Sequence, residues 1–538
     1  MVMTNDTVEL LSGKTADNAP SEGDTTLQNN HVIDTSKDTE ITIADGIEPK
    51  EARQLLGEMK VVDPAQARIS LRVYRRRWIV LATVALLNNS NTMAWIAFAS
   101  IANHVNVFYG NERAANWFSL IYIICTIPVG AFAMWMGSRF GLRTAILIAA
   151  WANAIGGAIR FASSFLPLGV RFPVGMIGQG LAACAYPFIM FLPTKVAGSW
   201  FGENERALAT TIGVMSNPLG VLFANLLSPQ IVSKAAHVIT FVPPLIACAI
   251  ATFGVTRSEP KTPPSLSAAQ TQMGFINGLR TCLTSRTYLI LLLVMGGGMG
   301  LFNCLYTVIQ QLLCPSGYSN PFSGLCAALM ISGGTIGAAV SGTFVAKTKL
   351  YEETMKVCLS LAVVMGLTFL QLTLHPGLEW FIITTCLLFG ALGLATYPVG
   401  LEMSAECTFP VSETTSTGLI VLSGQVQSIL YVALMDMASR PLQPSHMHIQ
   451  VCTTGEESEQ VMPKDNTNPV IMFSVVATIL VLILILAFKP TYKRLLAEHG
   501  NKKIEQGTND GAKQLDENVR LPNVNDEAQS PLTSRTET

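Results

Sequence analysis

The sequence predicts an all-α membrane protein with twelve transmembrane helices in two six-helix halves. Three observations lead there. Only 13% of the 538 residues are charged while half are hydrophobic, against about 25% charged in a soluble domain. About twelve apolar runs are long enough to span a bilayer, which takes about 20 residues each. The chain also repeats its own motifs at an offset of about 210 residues.

The ends differ from the middle. Residues 1–66 and 499–538 are polar and poor in aromatics, and read as disordered cytoplasmic tails that cannot offset the entropy of ordering. The first tail holds two acidic dileucine patterns, ending in Leu10-Leu11 and Leu55-Leu56, as possible docking points for sorting adaptors. No apolar leader precedes the first long run, so no cleaved signal peptide is expected. With a net charge of −1, no global basic field draws in nucleic acid.

The runs of the N-terminal bundle, 67–256, are Trp78–Ala102, Ala115–Met136, Thr144–Leu166, Phe172–Thr194, Ala207–Leu227 and His237–Val255. Those of the C-terminal bundle, 288–498, are Tyr288–Leu312, Ser323–Val345, Val357–Leu374, Trp380–Met403, Thr415–Met437 and Pro469–Phe488. Lipid offers backbone groups no partners, so such runs must be helices. The polar stretch 257–287, with Pro263-Pro264, is the cytoplasmic linker. Lys and Arg concentrate in alternate loops, from Arg72–Arg77 through Arg139 and Arg143 to Lys489–Arg494. The positive-inside rule then puts both tails in the cytoplasm. Tyr186-Pro187 recurs as Tyr397-Pro398, and the basic loop Arg139–Arg143 as Lys347–Lys349. An even number of helices separates the copies, so the halves are parallel repeats, an architecture that places a substrate between them at midplane.

The chemistry is notable for what is absent. No Walker loop occurs, and no Cys/His cluster has zinc spacing; neither a cofactor nor a metal is expected, and no nucleophile–base set suggests an enzyme. The glycines Gly296, Gly297, Gly298 and Gly300 lie inside an apolar helix, where they allow close helix packing or a hinge. Helix centres are nearly free of acids, which favours facilitated diffusion over a proton relay. Amides and aromatics stand there instead: Asn88, Asn89, Asn91 and Trp95 in the first helix, Gln179 and Tyr186 in the fourth, Asn303, Tyr306, Gln310 and Gln311 in the seventh, Gln425 and Gln427 in the eleventh. Each either faces a solute path or bonds helix to helix. Trp95 could hold an organic ammonium by cation–π attraction. Glu402 and Glu406 sit one turn apart where the tenth helix leaves the membrane, placed for gate salt bridges.

Several segments carry a resemblance: Tyr74-Arg-Arg-Arg-Trp78, Asn88–Trp95, Leu192-Pro193-Thr-Lys195 through Trp200-Phe201, Ser216-Asn-Pro-Leu-Gly220, Cys314 to Phe322-Ser-Gly-Leu-Cys326, and Tyr397-Pro-Val-Gly-Leu-Glu402 through Glu406-Cys-Thr-Phe-Pro410. In these the chain resembles the feline leukaemia virus subgroup C receptor-related family, solute carrier family 49, of the major facilitator superfamily. The resemblance implies a major facilitator fold and a secondary transporter of a small organic solute, working by alternating access: choline- or ethanolamine-like amines, with haem or another porphyrin, or a vitamin, as alternatives. A membrane sensor or scaffold is the reading from another class. The family's choline cage implies Trp95, Tyr186, Phe302 or Asn303, and Gln425 as site residues, with the cage half retained.

Such transporters usually carry an Asp after helices two and eight. Here those positions read Ser138 and Ala346, beside Arg139 and Arg143. A weaker cytoplasmic lock is expected, replaced by Glu203, Glu205, Glu406 or Glu413. Cys314 and Cys326 flank an outer loop and are candidates for a disulfide. The plasma membrane is favoured over the lysosomal membrane.

Overall fold

The structure, a computed structural model, describes residues 71–98, 101–111, 113–441 and 464–498. The dileucine patterns and both expected tails lie outside the described residues. Helices α1 (Arg77–Ile96), α2 (Ala102–Tyr109), α3 (Ala114–Arg139), α4 (Leu142–Ser163), α5 (Leu168–Trp200) and α6 (Arg206–Gly254) build the first half. The short α7 (Leu266–Ala269) and α8 (Phe275–Thr284) form the linker. Helices α9 (Arg286–Leu313), α10 (Asn320–Thr348), α11 (Tyr351–Leu372), α12 (Glu379–Thr408), α13 (Glu413–Ala438) and α14 (Thr467–Ala487) build the second half. A two-residue antiparallel pairing of Arg440–Pro441 with Lys464–Asp465 precedes α14.

Helix α6 joins two expected spans in one run of 49 residues. Drawn straight it would reach ~73 Å. Its two ends, however, lie against adjacent residues: Arg77 pairs with Glu205 at 2.7 Å and Arg76 donates to the Gly254 carbonyl at 3.0 Å. The chain therefore reverses within the run, and both arms cross the same layer. Among the described residues, eleven helices have the length and apolar character to cross a bilayer, and 241–254 supplies a shorter apolar arm. Twelve passes in two halves follow, and the protein is a multi-pass integral membrane protein.

The halves pack as repeats. The first helix of each lies along the fifth, α1 on α6 and α9 on α13. The fourth lies between the second and third, α5 against α3 and α4, α12 against α10 and α11. Close approach rests on small residues: a Cβ on Gly337 or Gly390 would run into the backbone carbonyls of Ala391 and Met330 across the α10–α12 seam. Gly296 and Gly300 serve the α9–α13 seam, where a Cβ would come within 2.5 Å of Ser423 Oγ and 2.9 Å of Ser428 N. The geometry thus gives these two glycines a packing role. The halves meet through α6 with α10 and α3 with α13, equivalent pairs under the repeat.

Candidate functional site

Between the halves lies a cavity of about 1110 Å³. Its walls come from both: Trp95, Asn116, Tyr186 and Asn217 from the first, Met299, Phe302, Asn303, Tyr306, Phe389, Tyr397 and Gln425 from the second. It reaches Asp436, Ser439, Lys464 and Asn466, on the side away from the basic loops, and so opens outward. The five residues expected at a site, Trp95, Tyr186, Phe302, Asn303 and Gln425, all stand on this wall.

The aromatic end is preorganised. Trp95 stacks on Tyr122 at 5.7 Å and 17° and lies 5.7 Å from Tyr186, while its indole N–H donates to the Ser119 carbonyl at 3.2 Å. That bond holds the ring's orientation in the wall. The Tyr186 hydroxyl faces Asn217 of α6 and Gln425 of α13, so one tyrosine touches both halves. Phe302 stacks on Phe389 at 5.4 Å on the opposite wall. The acid lining the cavity, Asp436, is paired with Lys464 at 2.6 Å near the mouth. Apart from that pair, the described lining is mostly aliphatic, with aromatic, amide and hydroxyl groups set into it.

Most amides of the first helix have another use. Asn88 donates to the Gly213 carbonyl at 3.0 Å and Asn89 to that of Ser216 at 3.2 Å. Asn91 donates to Asn153 and to the Ala182 carbonyl, each at 2.9 Å. They bond α1 to α4, α5 and α6. Gln179 likewise bonds Arg160, a buried cation in the last turn of α4 that also donates to the Ala94 carbonyl at 2.8 Å and lies 4.0 Å from the Phe98 ring centre. Sequence reasoning passed over Tyr122, Asn217, Phe389 and Tyr397 as site residues. The Tyr186–Tyr397 repeat was the available signal for the last.

The cytoplasmic ends of the halves are closed by buried ion pairs. Lys195 of α5 meets Glu413 of α13 at 3.5 Å, and Arg206 of α6 meets Glu406 of α12 at 3.8 Å. Thr194 and Thr417 share a hydrogen bond at 3.0 Å, and Thr210 donates to Glu402. The linker joins in: Gln272 donates to Glu413 at 2.8 Å, and Ser265 and Ser267 accept from Arg206 at 3.2 Å each. Beyond α14, Arg494 meets Glu413 at 3.2 Å and Glu498 meets Arg206 at 2.9 Å. Of the expected gate residues, Glu402 and Glu406 lie in this cluster. Ser138 bonds within its own helix, to the Trp135 carbonyl at 2.9 Å, and Arg139 and Arg143 are exposed. Glu205 is taken by Arg77, and Glu203 lends its backbone carbonyl to Lys349 at 2.7 Å.

Burial alone would push the Glu498 carboxyl up. The Arg206 guanidinium beside it, helped by Ser267 and Arg494, outweighs this and holds it down to about 2. A depressed carboxyl supports the closed state above its ordinary value, about 4.3 for Glu, and loses that support only as pH falls through the lower value. Glu498 thus stays charged at every physiological pH. Uptake by Glu498→Gln relative to the parent should be the same fraction at pH 5.5 and pH 8. A ratio that differs between the two would mean that a carboxyl of this cluster titrates in that window.

The expected Cys314–Cys326 disulfide is not formed. Cys314 is disulfide-bonded, whereas Cys326 is a free, buried thiol that faces Cys386 of α12. Cys326 lies inside α10, so helix phase turns it toward α12 and away from the loop.

A two-fold-repeated helical bundle, closed on the basic side and open around a central cavity on the other, defines a secondary transporter that works by alternating access. Residues 79–432 match the Major Facilitator Superfamily model. An uncharacterised protein of Caenorhabditis elegans is 62% identical over 84% of this chain and 90% of its own length. Solute carrier family 49 member A3 of Xenopus tropicalis is 37% identical over 83% and 94%. A choline/ethanolamine transporter, flvcr2a of Danio rerio, is 31% identical over 68% and 81%. The fold is similar to that of the E. coli fucose:proton symporter, with a TM-score of 0.56 at 10% identity over 76% of this chain and 99% of that one. The chain belongs to the major facilitator superfamily and, within it, to solute carrier family 49.

Proposed function

We propose that the transporter carries a small organic ammonium, of the choline or ethanolamine class, inward by facilitated diffusion. One observation carries the reading: the central wall offers a preorganised indole face beside tyrosine hydroxyl and amide groups, with Asp436 of its described lining paired near the mouth. An ammonium is attracted to an indole face without needing a carboxylate, and a relative of the same family is named for choline and ethanolamine. Haem fits this wall less well, since its two propionates call for basic partners and the lysine of the described lining, Lys464, is already paired with Asp436. A monovalent cation gains about 2.3 kcal/mol per 100 mV on moving inward, equivalent to roughly 40-fold accumulation with no proton relay. That drive favours work at the plasma membrane, where the interior is negative.

The test is uptake of labelled choline, ethanolamine, pyridoxine and haem into cells expressing the chain, with surface amount measured in parallel. Choline or ethanolamine should accumulate, and depolarisation with high external potassium should reduce the accumulation. Uptake confined to haem or pyridoxine would sink the ammonium reading. No uptake of any of them by correctly placed protein would favour the sensor reading.

A further inference from the structure

The polar segment after the last transmembrane helix is buried far more deeply than its composition suggests. Residues 493–498 are helical, and Arg494 and Glu498 are each only 2% exposed. The two are four residues apart and so share a face. Arg494 reaches Glu413 of α13 at 3.2 Å and Ser267 of the linker at 3.3 Å. Glu498 reaches across to Arg206 of the first half at 2.9 Å and accepts from Ser267. Between them, the Leu495 amide donates to Glu406 at 3.1 Å. Upstream, the Tyr492 hydroxyl accepts from the Glu352 amide at 3.2 Å, which anchors the segment to the second half.

The distances rank the contacts. A charge-assisted N–H···O bond is typically 2.7–2.9 Å. Arg206 approaches Glu406 of α12 only to 3.8 Å, but Glu498 of this segment to 2.9 Å. The close partner of the first half's gate arginine is therefore the carboxylate after α14. For the cavity to open inward, Arg206 must leave Glu406 and Glu498 together.

We propose that residues 492–498 are a strap across the cytoplasmic gate, with Arg494 and Glu498 as positioning residues that set the balance between outward- and inward-open states. The strap is anchored on the second half and the linker, and Glu498 hooks the first half. Loosening the hook lowers the outward-open population. The proposal rests on alternating access and not on the identity of the solute.

The test reads conformation without substrate. Ser428 lines the cavity, and Ser428→Cys in the full chain is labelled from outside by a membrane-impermeant maleimide, scored as the increment over the parent. Glu498→Gln and Arg494→Gln should each lower the labelling rate at least about twofold, since a tenfold shift of the outward-to-inward ratio takes a population of about 90% to about 50%, at unchanged surface amount. If Glu498→Gln does not reach the surface, Glu498→Asp provides the reading, with a smaller loss of the same sign. Unchanged labelling in the single variants overturns the proposal, as does a loss in Glu498→Asp as large as that in Glu498→Gln.

Discussion

Replacing Arg206 by alanine should collapse the outward-open state. Arg206 is 2% exposed and holds Glu498 at 2.9 Å, Glu406 at 3.8 Å and two linker serines. Its removal leaves buried carboxylates short of their cation. Breaking a buried pair from one side costs about 3–5 kcal/mol, because the partner stays desolvated and uncompensated. When the halves part on the cytoplasmic side, the same carboxylates meet water, so the penalty falls on the closed gate. A shift of that size changes the ratio of outward- to inward-open states by roughly two to four powers of ten. The measurement is labelling of cavity cysteines from outside against labelling of cytoplasmic-face cysteines from inside. The first should fall and the second rise in Arg206→Ala. Arg206→Lys, which keeps the charge but lacks the guanidinium fork, should lie between. Equal labelling in parent and Arg206→Ala would mean that the gate is held elsewhere.

Replacing Trp95 by alanine should have the second large effect, on the solute itself. The ring's orientation is set by the 3.2 Å bond to Ser119 and by the stack on Tyr122. A desolvated cation–π contact contributes about 2 kcal/mol or more, or roughly 30-fold in affinity. Trp95→Ala should raise the KM for choline uptake by about that factor, while Trp95→Phe, which keeps a weaker aromatic face, should raise it less. Competition by a neutral carbon isostere of choline, dimethylbutanol, should change little between parent and Trp95→Ala. Equal losses for the charged and neutral competitors would assign Trp95 a purely steric role.

Membrane class and the two-half repeat were legible in the residues because they are written in properties that need no folded structure. Hydropathy over twenty residues, the sign of the loops and an offset repeat are read along the chain. The cavity wall was partly legible for the same reason: an aromatic or amide inside an apolar run is conspicuous against its neighbours, as at Trp95, Tyr186 and Asn303. Amides that face a cavity and amides that bond helices carry the same signature along the chain. Asn88, Asn91 and Gln179 look like Asn303 in sequence, but their partners are the Gly213 carbonyl, Asn153 and Arg160. Helix phase alone does not say which neighbour a face meets.

The same limit explains the gate and the disulfide. Glu402 and Glu406 were visible at a helix end, but Arg494 and Glu498 sit among ordinary tail-like charges, and only the fold carries them across to Glu413 and Arg206. Cys326 flanks the outer loop in sequence, which makes it a candidate partner of Cys314, but within α10 its helix phase turns it onto Cys386. The amino-acid order by itself determined that this protein spans a bilayer in about twelve passes, that its basic loops gather on one side and that two like halves enclose an aromatic and amide centre. Tertiary structure alone decided which polar groups are consumed in holding helices together, which remain free to meet a solute, and what closes the inner side. The first set depends on how each segment partitions between water and lipid, and the second on contacts between residues up to 292 positions apart.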